Sequence, residues 1–499
     1  MKKILNIFFI AIVLCGGIIG ITHACSSNQI DIGNGNCETA KFTITTTNLN
    51  AGDEFNFYMS ASGTFYVDCG DGGTLSGTGV TNNTITRNDT TEALYTCTYS
   101  TAGAKTIKMA GLATGYTATK NIAAIRFGAQ DGSINPALVV AISGSIGKIM
   151  PTLGLNDDQK PQFFVTFLGT KITSVPATLF SDVTTARPYM FNGTFAHCNL
   201  LTNIPENLFS GINGTATLMF FSTFAYSGIT SIPENLFINT SFGATELSAD
   251  VHAVFQSTFS HCSSLTSIPS GLFRNIHIGN MYMFDGTFAN CTALTSLPEE
   301  LFSNITDAGG QEFRHTFNGC TGLSGFVPPS MFSGLIANNS PYTDLYGGFM
   351  RDIFNNTNLA TTCPSGMTQY ITGYEDYWNG KVSCVNANLT CSAGNYLPAH
   401  GYECAQCTAN NYCVGGTYPY SATESHGITP CDTGYSSAAG ASSCTGNVIN
   451  ITWEDATPES VAANNAGSCT YGGTINTPAV APSKRGYVFT GWSFDTLGN

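Results

Sequence analysis

Two cysteines with two residues between them, Cys404-Ala-Gln-Cys407, form the most chemically suggestive pair in the chain. Such a pair serves as a redox dithiol or as half of a zinc site, but no thioredoxin-like βαβ pattern surrounds it, so a structural disulfide role is expected. Cys198, Cys262, Cys291 and Cys320 form a second set, with His197, His261 and His315 close by in sequence. Thiolates and imidazoles together suggest zinc. Ligands strung along a repeating chain do not converge on one tetrahedron, however, so neither a metal nor any other cofactor is expected. The acid pairs Glu299-Glu300 and Asp157-Asp158 sit at turns among polar neighbours, where solvated carboxylates are the default. A glycan-processing enzyme would need paired acids in a cleft, and none can be placed. Asp68 and Asp71 suit either calcium or the tight turn that Asp71-Gly72 favours, and the turn is preferred. The chain has no Gly-rich phosphate loop, no His-Glu-x-x-His and no Gly-x-Ser-x-Gly. The expectation is a protein without catalysis, whose business is its surface.

The element that must carry that surface is a repeat. One sentence recurs from about Phe167 to Leu359, clearest as Thr258-Phe259-Ser-His-Cys262-Ser-Ser-Leu265-Thr-Ser-Ile268-Pro269-Ser-Gly-Leu272-Phe273 and again 29 residues later from Thr287-Phe288 to Leu301-Phe302. Its leading aromatic returns at Phe167, Phe195, Phe224, Phe259, Phe288, Phe317 and Phe354, and its turn proline at Pro176, Pro205, Pro233, Pro269, Pro298 and Pro328. Longer intervals near Ser241–Asp250 and Ala337–Tyr346 mark insertions. Stacked copies would set like residue over like and build an apolar spine that no single copy could form. The Leu-Thr-Ser-Ile stretch is expected to be a strand, ended by a proline that cannot donate to a ladder, with Leu-Phe packing a turn or short helix behind it. Seven such strands would give a sheet about 30 Å long. Between the apolar anchors runs a row of small polar residues: Thr173 and Ser174, Thr202 and Asn203, Thr230 and Ser231, Thr266 and Ser267, Thr295 and Ser296. This row is the candidate binding surface; equally, Thr suits a solvated sheet face on propensity alone.

The repeat resembles that of the BspA-like leucine-rich-repeat surface proteins, in the variant Thr-Phe-x-x-Cys-x-x-Leu-Thr-x-Ile-Pro-x-x-Leu-Phe. The resemblance implies adhesion or surface recognition and carries no catalytic residue. The copy at Phe224 departs from it with Ser227, and the last copy with Thr357, where cysteine is expected. The four repeat cysteines are expected to be buried free thiols.

The flanks look like separate modules, making the fold class multidomain and mostly β. Residues 37–112 alternate apolar and polar in short runs, as a small β-sandwich does. Gly63-Thr-Phe-Tyr-Val-Asp68-Cys69-Gly70-Asp71-Gly72, with Tyr95-Thr-Cys97 and Gly103 later, is similar to PKD-like sandwich domains, although Cys69 stands for their Trp and Ala104-Lys105-Thr106 for their aromatic register. A Cys69–Cys97 disulfide across adjacent strands is expected. Residues 113–166 lead into the repeats of 167–362. Residues 363–446 then carry Cys363, Cys384, Cys391, Cys404, Cys407, Cys413, Cys431 and Cys444. An even count in an exported stretch with little core implies a disulfide framework, and Cys391…Cys404 and Cys431…Cys444 share one spacing, so each should close on itself. The segment is similar to ephrin-receptor and tumour-necrosis-receptor Cys-rich repeats. Residues 447–499, ending in Lys484-Arg-Gly486-Tyr-Val-Phe-Thr-Gly491-Trp492, resemble the internalin-type B-repeat of bacterial surface proteins.

The whole chain agrees with export. Met1-Lys2-Lys3, an apolar run from Ile4 to Ile21 and Ala24 before Cys25 form a secretory signal over residues 1–24. Cleavage is favoured over an uncleaved anchor, and lipid attachment at Cys25 is the lesser reading. Removing Lys2 and Lys3 takes the formal charge from −14 to −16, which disfavours nucleic acid and anionic lipid. Charged residues make up only 10% of the chain, as in exported repeat proteins. The expected partner is an extracellular protein or glycan, and the localisation secreted or cell-surface. A structural envelope component without a specific ligand explains the same features almost as well. Asn192 and Asn304 head Asn-x-Thr sites that matter in a glycosylating host.

Overall fold

The computed structural model describes residues 25–129, 131–239, 251–306, 309–337, 350–363, 367–369, 378–386, 388–398, 404–419, 424–451 and 467–470. The expected leader of residues 1–24, nearly all of both expected insertions and the B-repeat-like residues 484–492 lie outside the described residues. The protein is mostly β with almost no helix, as its Thr-, Val- and Phe-rich segments favour. It divides into two compact units: Met1–Ser324 with Gly334–Asn358 and Tyr377–Asn379, and Gly325–Ser333 with Leu359–Asp376 and Gly380–Asn499.

The first unit opens with a hairpin of β1 (Gln29–Gly33) and β2 (Asn36–Thr39), closed by a Cys25–Cys37 disulfide that the sequence reading missed. The Cys25 sulfur is therefore a disulfide sulfur, which corrects the lipid reading. Two sheets follow. Six strands, β3 (Phe42–Leu49), β5 (Ser62–Asp68), β7 (Val80–Thr81), β8 (Thr84–Arg87), β10 (Gly103–Gly115) and β12 (Val139–Gly144), run in the order β12-β3-β10-β5-β8-β7. Four more, β4 (Glu54–Met59), β6 (Thr74–Gly77), β9 (Ala93–Thr98) and β11 (Ile125–Arg126), run β11-β4-β9-β6. Period-two burial along β3, β4 and β5 sends Phe42, Ile44, Phe55, Phe57, Phe65 and Val67 into the core between them. Cys69 follows β5 of the larger sheet and Cys97 lies on β9 of the smaller, so their disulfide joins the two sheets. The expected pairing across adjacent strands is corrected accordingly. Lys105, standing where an aromatic was expected, is fully buried, with its ammonium 5.0 Å from the Tyr99 ring and 2.7 Å from Asp71.

The repeats stack directly on this sandwich. Phe127 lies between Phe42 and Phe167, at ring distances of 6.0 and 5.7 Å, so the first aromatic of the stack continues the sandwich core. Backbone bonds from Phe127 to Thr166 (2.8 Å), Lys171 to Val139 (2.8 Å) and Gly147 to Leu179 (3.0 Å) fasten the junction. Gly147 has no room for a side chain, since a Cβ would sit 2.0 Å from the Ser181 carbonyl oxygen.

Within the stack three columns of phenylalanine run from copy to copy. One is Phe163, Phe191, Phe220, Phe255, Phe284 and Phe313; a second is Phe167 through Phe195, Phe224, Phe259, Phe288 and Phe317 to Phe354. The third, Phe180, Phe209, Phe237, Phe273 and Phe302, comes from the Leu-Phe pairs. Centroids 5.4–6.2 Å apart and nearly parallel planes give each interior ring of a column a stacked partner on both sides. At the far end Trp378 meets Phe354 edge-on at 6.4 Å, and its indole N–H reaches the Met350 sulfur at 3.2 Å.

The backbone that holds these columns is not the expected strand. Over Arg187–Cys198, turns follow one another every two residues: the amides of Met190, Asn192, Thr194, Ala196 and Cys198 donate to the carbonyls three residues back. Alternate turns place their third residue at positive φ, at Tyr189 (62°), Gly193 (63°) and His197 (59°), as a type II turn requires. The amides left over, those of Tyr189, Phe191, Gly193, Phe195 and His197, donate to Thr217, Met219, Phe221, Thr223 and Ala225 of the next copy. From Tyr189 to Cys198 every amide is thereby satisfied by a ribbon of turns rather than by a pleated strand. The same pattern repeats at Leu218, Ser222 and Tyr226 and at Ala253, Ser257 and His261. The Leu-Thr-Ser-Ile stretch forms no strand among the described residues. It keeps bonds such as Thr230 to Thr202 and Thr266 to Thr230, with one parallel bridge at Asn203 and Ser231, because the proline that follows cuts the ladder short. The Leu-Phe segments are turns, as at Leu272 on Pro269, and the one α-helix described is the short Ser333–Ala337.

In the second unit short antiparallel pairs replace a core. They join Met367–Gln369 to Cys384–Asn386, Asn388–Cys391 to Gly416–Pro419, Asn395–Tyr396 to Ala405–Gln406, Asn411–Tyr412 to Thr429–Pro430, Tyr435–Ser436 to Thr445–Gly446 and Val448–Ile451 to Gly467–Thr470. Disulfides Cys363–Cys384, Cys391–Cys404, Cys407–Cys413 and Cys431–Cys444 staple them. The two equally spaced loops close on themselves, and the cysteines of Cys404-Ala-Gln-Cys407 go to different partners.

Candidate recognition surface

All ten residues of the polar row, from Thr173 and Ser174 to Thr295 and Ser296, are exposed, each copy lifting its pair between buried aliphatic residues on either side, Leu, Ile or, at Val175, Val. The two columns differ. The hydroxyls of Thr230 and Thr266 donate to the carbonyls of Thr202 and Thr230 at 3.4 and 3.2 Å, and Ser324 donates to Thr295. These threonines therefore clamp one copy to the next, while Ser174, Ser231, Ser267 and Ser296 keep their hydroxyls towards solvent.

A second row, which the sequence reading missed, lies along the ribbon of turns. His197, Tyr226 and His261, each two residues after the repeat phenylalanine, stack in parallel at 4.5 and 4.1 Å. Burial against Tyr226 pulls the His261 imidazole below the usual histidine range, and neighbouring His197 adds to this. Further along, His315 stands 3.4 Å from Asp285 and 3.6 Å from Asp352, residues of the copies before and after it. Burial pushes the Asp285 carboxyl up, opposed by Arg314, Gln256 and His315. The signal was available in sequence, since an aromatic or polar residue recurs at one offset after Phe195, Phe224 and Phe259. The three histidines do not meet, and among the described residues no group of three or more His, Cys, Asp or Glu could hold a metal ion. Asp68 and Asp71 face Lys108 (3.0 Å) and Lys105 (2.7 Å), and the Asp71 carboxyl is held below its usual range by the Lys105 and Thr101 hydrogen bonds.

The buried polar residues of the motif act as inter-copy donors. Thr194, Thr223, Thr258, Thr287 and Thr316, just before each phenylalanine, donate to the carbonyls of Phe163, Phe191, Phe220, Phe255 and Phe284 at 2.7–3.0 Å. The thiols of Cys198, Cys262, Cys291 and Cys320 do the same to Phe167, Phe224, Phe259 and Phe288 at 3.0–3.1 Å. The two departures bond differently: the Ser227 hydroxyl pairs with the Cys262 sulfur of the next copy at 3.5 Å, and the Thr357 hydroxyl donates to the Phe354 carbonyl of its own copy at 2.8 Å. All four thiols are free and buried. Burial pushes those of Cys198, Cys262 and Cys320 up to about 12, and Cys291 is likewise raised.

An unfolded thiol ionises near 9.0 and those of Cys198, Cys262 and Cys320 in the folded chain near 12, so between those values the native state holds protons that the unfolded state has lost. Their contribution is fully present below pH 9 and falls as pH rises. Denaturant midpoints should therefore drop steeply above pH 9, and iodoacetamide at pH 8 should label none of the four before unfolding. Mass mapping that finds Cys262, Cys291 or Cys320 alkylated or bridged in the native protein would contradict both.

The Asn304 amide donates to the Arg274 carbonyl at 2.7 Å, an inter-copy bond that a glycan on that nitrogen would break. Six disulfides suit an oxidising, extracytoplasmic compartment, and among the described residues no helix is long and apolar enough to cross a membrane. Comparison with known protein families, curated proteins and solved structures finds no match to this chain.

Proposed function

We propose that this is an exported surface protein that attaches to an extracellular protein or glycan through its repeats, which form a BspA-like leucine-rich-repeat solenoid. The observation that carries the reading is the exposure of both residues in all five polar rungs, on copies whose backbones are bonded to one another. A long row of modest, evenly spaced contacts suits multivalent attachment between surfaces better than tight capture of a small molecule. The PKD-like sandwich caps and presents the solenoid, and the Cys-rich and B-repeat modules act as spacers, small stapled elements that need no large core. A structural envelope component would share every one of these features except a ligand.

Replacing Ser231, Ser267 and Ser296, the rung residues outside the inter-copy clamp, together by Lys in the full chain tests this. The side chains are exposed, so the melting temperature should hold within a few degrees. Attachment to host cells or matrix should fall by more than about tenfold, as expected when several small contacts are lost together. Unchanged attachment would sink the solenoid reading, and turnover of a glycan or peptide by the purified protein would replace it with an enzyme.

A further inference from the structure

Where the first copy meets the sandwich, a cleft of about 260 Å³ opens between Glu92, Asn121, Arg126, Asp131, Phe164 and Val165. It is smaller than the ~300 Å³ at which sites for drug-sized ligands begin, and so has the capacity for one small ring. Its polar groups are held in place. The Arg126 guanidinium lies 4.0 Å from the Tyr58 ring and grips both Glu92 oxygens, at 2.8 and 3.1 Å, while the Asp131 carboxylate accepts the Ser133 amide at 2.9 Å. A carboxylate offers about four acceptor positions, so both acids keep capacity for further hydroxyl donors. Half-buried Phe164 adds an aromatic surface and Asn121 an amide with both a donor and an acceptor.

The charges narrow the ligand class. Arg126 is already matched by Glu92, which leaves Asp131 unbalanced, so an anion meets repulsion. A bare cation lacks the three ligands it would need among the described residues. A neutral molecule with adjacent hydroxyls and an apolar C–H face satisfies the acids, the amide and the ring together. We propose that this cleft binds a single neutral hexopyranose ring, independently of the polar row. The wall continues beyond it: the positions of Phe164 and Val165 are taken by Asn192 and Gly193 in the next copy and by Phe221 and Ser222 in the one after, in bonded register. A sugar seated in the cleft could therefore extend into a chain along the ribbon of turns.

The test is saturation-transfer NMR and titration of the full chain with a panel of neutral methyl hexopyranosides, against a methyl uronide and glycine as charged probes. At least one neutral glycoside should receive saturation, most strongly on C–H protons of one sugar face. Asp131→Ala and Asn121→Ala, both at exposed positions, should each weaken it by about tenfold, the worth of one charge-assisted or well-placed hydrogen bond. The Lys-substituted polar row should bind the glycoside unchanged, so failure of the row and failure of the cleft are separately visible. Absence of saturation from every neutral glycoside, preference for a charged probe, or equal binding by Asp131→Ala and Asn121→Ala would each overturn the assignment.

Discussion

Phe288→Ala should lower the stability of the repeat stack by about 3–5 kcal/mol, the range for deleting a fully buried phenylalanine ring. Phe288 is fully buried, stacks on Phe259 at 5.6 Å and on Phe317 at 5.5 Å, and touches Phe273 obliquely at 6.4 Å. Its loss leaves a gap in one column and removes a contact from the Phe273 column beside it, and the neighbouring copies cannot close it, because turn bonds on both sides fix their spacing. In a one-dimensional stack such a defect spreads, so the transition should broaden or split rather than merely shift. Ser296→Ala, on the exposed row, should stay within about 0.5 kcal/mol. Denaturant melts in which both substitutions are equally mild would show that the inward face has been misidentified.

Removing the Cys69–Cys97 disulfide by paired substitution to Ala should cost the sandwich about 3–4 kcal/mol, given the 28-residue separation of the two cysteines. The bond joins the two sheets, and both cysteines lie in the core, so no compensating hydration is gained. The first aromatic of the stack, Phe167, rests on Phe127 and Phe42 of the same core. Loosening the sandwich should therefore lower the melting temperature of the repeats as well. Calorimetry showing the repeat transition unmoved would mean that the stack does not depend on its cap.

The repeat period, the aromatic spine and the disulfide-rich tail were legible in sequence because each depends on residue identity recurring at a fixed offset. A phenylalanine heading each recurring motif is informative whatever the backbone does, and an even run of cysteines is informative whatever the connectivity. The same reasoning found Thr266 and Ser267 as solvent-facing, since they lie between Leu265 and Ile268, whose burial is dictated by their chemistry. What it misjudged was the backbone. Leu-Thr-Ser-Ile has the propensity of a strand, but propensity is decided by neighbours, and here the proline after it removes the next donor while the richest bonding goes to the residues around Phe195.

The threonine before each phenylalanine shows the same division. Its recurrence was visible as part of the motif, yet its role as a donor to the carbonyl of the preceding copy exists only once the copies are stacked. Composition, periodicity and cysteine arithmetic are properties of the chain in one dimension, and from them came a mostly β protein, a repeating core and a stapled tail. The Cys25–Cys37 bond, the bridging of two sheets by Cys69 and Cys97, the ribbon of alternating turns and the cleft between Arg126 and Phe164 were decided by the tertiary structure alone. Each depends on which distant residues become neighbours, and that is set by the packing of whole faces rather than by any local pattern.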